Sequence, residues 1–172
     1  MNLVLIGYRG TGKTTVARLA ADRLHWPWYD ADAEIEARAG KSIARIFAED
    51  GEAVFRDMES QVVADLAARK HCVLALGGGA VVRPQNREAI LRQGRVVLLT
   101  ASPQTLIERI QSDCSTRDTR PDLTAQGGIN EIIATLASRE QAYAACAHYE
   151  FDTEELTPNE VVDAILAKVR LE

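Results

Sequence analysis

A short apolar run, Leu3-Val4-Leu5-Ile6, leads into Gly7-Tyr8-Arg9-Gly10-Thr11-Gly12-Lys13-Thr14, and an amphipathic stretch starting Val16-Ala17-Arg18-Leu19-Ala20 follows. The octapeptide satisfies G-x-x-x-x-G-K-[ST], the pattern of a loop that wraps nucleotide phosphates, and the strand before it and helix after it are the setting that loop requires. Glycines let backbone N–H groups turn inward on a phosphate, and the following helix offers its positive end to the same anion. Lys13 adds a point charge, and Thr14 can place its hydroxyl on the magnesium ion that accompanies the phosphates. Gly10, Thr11, Gly12, Lys13, Thr14 and Thr15 are therefore the candidate nucleotide contacts.

A loop of this kind belongs to a βα unit, and the rest of the chain repeats the pattern. Short runs rich in Val, Leu and Ile at 2–6, 27–29, 72–76, 95–99 and 148–152 read as strands. Between them, helical periodicity marks 13–24, 52–69, 103–111, 129–147 and 158–170, with shorter helices at 32–39, 43–49 and 84–92. Ser102-Pro103 and Thr157-Pro158 place a capping hydroxyl before a proline at a helix start. The expected fold is α/β: a five-stranded parallel sheet between two helical layers.

At 172 residues and 47% hydrophobic composition, the chain is long enough for one core and short for two, so a single domain over 1–172 is expected. A net charge of −5 argues against a broad nucleic-acid surface, which would need a basic excess. Three cysteines, Cys72, Cys114 and Cys146, offer neither a disulfide framework nor a metal cluster, which points to the cytoplasm. The first apolar run is too short for a signal-peptide core, no other run approaches membrane-spanning length, and a monomer is expected.

Residues 112–128 break the alternation with Ser, Asp, Thr, Arg, Pro and Gly and little apolar periodicity. A loop this long inside a compact domain is usually functional, and Arg117 and Arg120 within it fit a mobile lid over reacting phosphates.

Guanine specificity has no support, because none of Lys41, Lys70 and Lys168 is followed two residues later by Asp as in Asn-Lys-x-Asp. The acid of a motor-type ATPase is missing too, since the strands at 72–76 and 95–99 run into Gly77-Gly78-Gly79 and Thr100-Ala101-Ser102. Carboxylates come instead from Asp30-Ala31-Asp32 after the second strand, at the sheet edge where open α/β sheets hold ligands. One of the two carboxylates can organise magnesium through its waters, and the other can accept a proton from, or orient, a hydroxyl that attacks the γ-phosphorus. Asp30 can equally serve as a plain helix cap with Asp32 exposed in the first turn.

The set Gly7 to Thr14, Asp30-x-Asp32, Gly40-Lys41-Ser42-Ile43, Phe55-Arg56-x-x-Glu59, Gly77-Gly78-Gly79-Ala80, Arg120-Pro121 and Arg139-x-x-x-Tyr143 resembles, in order and spacing, the shikimate kinase family. The resemblance runs from the first strand to about Pro158. It implies a P-loop fold like that of the nucleoside monophosphate kinases, and magnesium-dependent transfer of the ATP γ-phosphoryl group to the 3-hydroxyl of shikimate, with ATP and shikimate as partners. It also implies that Lys13, Asp32 and Arg120 are catalytic, that Asp32, Arg56, Gly77, Gly78, Gly79 and Arg139 bind shikimate, and that Arg109 and Pro158 sandwich adenine. Thr14 and Asp30 would serve the metal, Asp30 through water.

These roles suit the chemistry. Two planar guanidiniums make a specific socket for a carboxylate, where lysine would be a poorer choice. Glu59, one turn after Arg56, can hold that arginine by an i,i+3 contact. Arg120, with Arg117 as its rival, would neutralise charge on the transferring phosphoryl group. Ile43, Phe47 and Phe55 fit either an apolar wall of the acceptor pocket or ordinary core. His25, His71 and His148 show no hydrolytic pattern and are expected to be structural. Ala31 stands where the family often has a hydroxyl residue and Asp122 where it has Leu or Thr, so affinity rather than reaction type should differ. A kinase for gluconate or quinate and a non-catalytic nucleotide-binding module are the competing readings.

Overall fold

The computed structural model describes residues 1–112 and 128–171. The chain runs β1 (Asn2–Gly7), α1 (Lys13–Leu24), β2 (Trp28–Asp30), α2 (Ala31–Ala39), α3 (Ile43–Glu49), α4 (Gly51–Ala67), β3 (Val73–Ala75), α5 (Pro84–Gln93), β4 (Gly94–Thr100), α6 (Pro103–Ser112), α7 (Gly128–Ala144), β5 (Tyr149–Asp152) and α8 (Pro158–Lys168). The five strands pair in parallel in the order β2-β3-β1-β4-β5. The order reverses beside β1, so the loop leaving β1 opens into the crevice where such sheets bind ligands.

Strand alternation builds the two helical layers. Val4 and Ile6 of β1 with Val96 and Leu98 of β4 face one way, into a core closed by α2, α3, α4, α5 and α7. Leu3 and Leu5 with Val97 and Leu99 face the other, under α1 and α8. Burial of both faces explains why the central strands read as continuous apolar runs. The result is a three-layer α/β/α fold. A third, smaller cluster joins Tyr8 to Leu106, Ile110 and Ile132 between α6 and α7. No helix among the described residues is long and apolar enough to cross a membrane.

Most boundaries fall within one or two residues of expectation. The Thr157-Pro158 start is a full capping box, with Thr157 Oγ1 accepting from Glu160 N and Glu160 Oε2 accepting from Thr157 N at 2.8 Å. α7 ends at Ala144 rather than 147, because the Cys146 and Ala147 amides turn back to Tyr143 O and His148 N reaches Val96 O to start the next strand. α4 ends at Ala67 rather than 69, since the chain must turn to bring His71 N onto Met1 O. The structure adds a 3-10 turn at Ala80–Val82 that periodicity could not register, being a single turn.

Gly7, the last residue of β1, has φ +141°, and a Cβ there would stand 2.3 Å from Leu99 O on β4. Both conditions exclude a side chain. The histidines have structural contacts: His25 ends α1 in a left-handed conformation, His71 packs edge-on against Trp26, and His148 Nδ1 accepts from Val96 N at 3.1 Å. Cys72 and Cys146 are buried free thiols, and burial pushes the Cys146 thiol up to about 11. Cys114, Arg117, Arg120, Pro121 and Asp122, with all but the ends of the expected lid, lie outside the described residues.

Candidate active site

The β2-to-α2 junction brings acid to the phosphate loop. Trp28, Tyr29 and Asp30 pair with Val73, Leu74 and Ala75, so β2 ends level with β3, one strand away from β1. Asp30 then divides its two oxygens. Oδ1 caps α2, accepting from Asp32 N at 2.9 Å and Ala33 N at 3.4 Å, while Oδ2 accepts from Thr14 Oγ1 at 2.9 Å. Cap and site are thus one residue, and the cap fixes the main chain of Asp32 in the first turn of α2, where a carboxylate is electrostatically favoured.

Within the loop, Lys13 Nζ and Thr11 Oγ1 both donate to Tyr8 O, at 2.7 and 2.8 Å. A cleft of about 260 Å³ is lined by Gly10, Gly12, Lys13, Thr14 and Thr15 on one side, Asp30 and Asp32 on another, and Gly77 and Gly78 opposite. Thr11 is buried beneath the loop and does not line the cleft. Arg9 lines it too. The motif leaves that position unspecified, so pattern matching gave no reason to single it out.

The triple glycine carries the two expected acceptor arginines on neighbouring residues. A Cβ on Gly79 would stand 2.7 Å from Arg56 Nη1, so only glycine lets this turn lie against that guanidinium. Arg139 Nη1 is 3.1 Å from where a Cβ on Gly78 would sit. Tyr143, one turn further along α7, donates its hydroxyl to Gly78 O at 2.8 Å, and burial raises its phenol pKa against the opposing charge of Arg139. Tyr143 stood in the recognised motif without a role, and this bond supplies one.

Arg56 is oriented from behind. Its Nη1 donates to Glu59 Oε2 at 2.8 Å, its Nε to Glu52 Oε1 at 3.3 Å, and Glu59 is 1% exposed. Arg83, from the segment after the glycines, donates to Arg56 O at 3.0 Å and to Asp57 at 2.7 Å, tying that segment to α4. Ile43 and Phe55 are fully buried core residues, and Phe47 packs on Phe55 with ring centroids 4.6 Å apart.

A second hollow, of about 240 Å³, shares Gly10, Gly12, Thr15 and Arg109 with the cleft and adds Thr153, Leu156 and Pro158. Arg109 spans it, donating to Thr153 Oγ1 at 2.9 Å and Thr153 O at 2.7 Å. Thr153 is buried and in turn donates to Thr100 O at 3.0 Å, which anchors the arginine to the end of β4. Nothing in the sequence around Thr153 signals this.

Among the described residues, the expected phosphate-loop residues with Asp30, Asp32, Gly77, Gly78, Arg109 and Pro158 line one cleft and its annex, and Arg56, Gly79 and Arg139 meet at the glycine turn beside it. Known proteins share the arrangement at the level of the whole chain. The shikimate kinase family model matches residues 9–170. A shikimate kinase of Symbiobacterium thermophilum is 43% identical over 99% of this chain and 97% of its own length. One from Rhodopirellula baltica is 41% identical over 96% of this chain and 88% of its own. The structure of Acinetobacter baumannii shikimate kinase in complex with shikimate superposes with a TM-score of 0.90 at 34% identity, covering 98% of this chain and 95% of that one. A family model that spans residues 9–170, and relatives above 40% identity along almost the full length, leave one conclusion: the chain belongs to the shikimate kinase family.

Proposed function

We propose that the protein transfers the γ-phosphoryl group of ATP to the 3-hydroxyl of shikimate, giving shikimate 3-phosphate and ADP. The observation that carries the reading is a phosphate-loop cleft lined by Asp30, Asp32, Gly77 and Gly78, with the Arg56 and Arg139 guanidiniums against the same glycine turn. Phosphoryl transfer needs little covalent chemistry from the protein, so positioning and charge stabilisation account for most of the rate.

Lys13 exchanges its hold on Tyr8 O for the β- and γ-phosphates. Adenine takes the annex between Arg109 and Pro158. Arg56 and Arg139, on either side of the glycine turn, receive the acceptor carboxylate in paired charge-assisted hydrogen bonds. Asp32 receives the acceptor hydroxyls and takes the proton from the one that attacks phosphorus. Arg120 supplies positive charge to the transferring group.

Thr14 Oγ1 and Asp30 Oδ2, 2.9 Å apart, are hard oxygen donors of the kind magnesium selects, and they fit that ion with water completing its shell. When bound, magnesium neutralises charge on the phosphate oxygens. The protein works as one domain, as a cytoplasmic monomer.

The test is ADP release from magnesium-ATP with shikimate, quinate, gluconate or no acceptor. Release with shikimate alone, and a product phosphorylated at the 3-hydroxyl, is expected. Turnover with another acid alone would overturn the substrate, and binding of ATP without any turnover would favour a non-catalytic module. Arg139→Ala should raise the shikimate KM by roughly ten- to a hundredfold and leave the ATP KM near wild type, the usual loss for a charge-assisted hydrogen bond. Equal changes in both constants would remove Arg139 from the acceptor site.

A further inference from the structure

The second residue of the phosphate loop is unspecified by the motif, yet here it joins the nucleotide side of the cleft to the acceptor side. Tyr8 is 8% exposed, and its ring is packed among Leu106, Ile110 and Ile132. Its carbonyl accepts from Thr11 Oγ1 at 2.8 Å, a bond that nucleotide leaves in place, and from Lys13 Nζ at 2.7 Å until that ammonium moves to the phosphates. Its ring packs between α6 and α7. Arg139 Cζ lies 5.8 Å from the ring centroid, within the range of a cation–π contact.

The same guanidinium reaches the glycine turn, with Nη1 3.1 Å from the Cβ position of Gly78. Arg139 is therefore held by an aromatic face, a backbone turn and the Tyr143 hydroxyl, with no carboxylate paired to it among the described residues. Arg56, 5.2 Å from the Phe55 ring centroid, is by contrast also ion-paired with Glu59 and Glu52. The difference has a chemical consequence. A carboxylate behind an arginine competes with the substrate's own carboxylate for its hydrogen-bond donors, while a ring face restrains the guanidinium without occupying a donor, so that Arg139 shares its donors only with the neutral Tyr143 hydroxyl. An arginine side chain carries large rotamer freedom, so restraint before binding reduces the ordering required on binding. Burial raises the Tyr8 phenol pKa, opposed by the Arg139 charge and a hydrogen bond with Thr135, so the ring stays neutral and protonated at physiological pH.

We infer that Tyr8 is a positioning residue for the acceptor: its ring face holds the Arg139 guanidinium where it meets the shikimate carboxylate. The inference rests on the role given to Arg139 above, and it assigns to the phosphate loop a part in acceptor affinity beyond holding nucleotide.

A shape-preserving series tests it. Tyr8→Phe keeps the ring and loses only the hydroxyl, whereas replacement of Tyr8 by pentafluorophenylalanine keeps the ring's outline and abolishes its negative face. Tyr8→Phe is the reference, since both variants lack the hydroxyl and its bond with Thr135. Relative to Tyr8→Phe, the fluorinated variant should raise the shikimate KM by about three- to tenfold, with kcat, the ATP KM and the melting temperature nearly unchanged. Tyr8→Leu, which removes the ring, should move the shikimate KM in the same direction.

In an Arg139→Ala background, fluorination should add nothing further, because the partner of the ring is gone. Equal shikimate KM values for the Phe and fluorinated variants would overturn the inference. So would a matching rise in the ATP KM, or an effect that persists without Arg139. Wild-type protein that does not phosphorylate shikimate would instead overturn the proposed function. An unchanged KM in Arg139→Ala would overturn the role of that arginine, and either result removes this inference with it.

Discussion

Asp32→Asn is expected to lower kcat by about 10²–10⁴-fold, the usual span for loss of a positioned base, while ATP affinity stays at the wild-type value. The amide has the size of the carboxylate and can still hydrogen-bond the acceptor hydroxyls, but it cannot take a proton at neutral pH. The substitution leaves the Asp30 cap in place, since the bond from residue 32 to it comes from the backbone N–H. Single-turnover kinetics with a parallel nucleotide-binding titration would separate chemistry from binding. A fall of less than about tenfold would mean that the hydroxyl proton leaves with the phosphoryl oxygens or water, as a loose transition state permits, and would reduce Asp32 to an orienting group.

Arg56→Met should do two kinds of damage at once. It strips the guanidinium from the acceptor cradle, and it withdraws the ion partner 2.8 Å from Glu59, a carboxylate that is 1% exposed. Breaking a buried ion pair from one side costs about 3 kcal/mol or more, which urea denaturation would register as a lower midpoint with little change in slope. The shikimate KM should rise at the same time by at least tenfold. Adding Glu59→Gln to the Arg56→Met protein should recover much of the lost stability, because no buried charge then lacks its counterion, but none of the lost acceptor affinity. If stability and affinity recovered together, Arg56 would be a structural residue and the acceptor would bind elsewhere.

How much of this was legible beforehand follows from the range of the interactions involved. The strand–loop–helix unit around Lys13 and the start of α8 at Thr157-Pro158 were readable because their determinants are contiguous: a glycine pattern, a capping hydroxyl, a proline at the first helical position. Asp30 was harder, because a helix cap and a carboxylate turned toward the phosphate loop are written with the same residue, and only the separate engagement of its two oxygens, one by α2 and one by Thr14, shows it in both positions. The pairing of Arg56 with Gly79 and of Arg139 with Gly78 depends on where α4 and α7 cross the sheet, so motif spacing named the residues without their geometry. Arg9, Thr153 and Arg83 carried no local signal. Their positions depend on contacts such as Arg109 to Thr153 and Arg83 to Arg56, across 44 and 27 residues. Ile43 and Phe55 show the converse limit, since apolar residues at helical spacing look alike whether they line a pocket or fill a core, and these two fill the core.

The steric demand at Gly7 separates two kinds of information that the phosphate-loop motif combines. With φ +141° and Leu99 O only 2.3 Å from any Cβ, this glycine answers to the packing of β1 against β4, whatever the loop does with a nucleotide. Lys13 is under no such obligation from the sheet. In a descendant that had abandoned catalysis, Lys13 would be free to drift while Gly7 stayed, so the first glycine of the motif testifies to architecture and the lysine to chemistry.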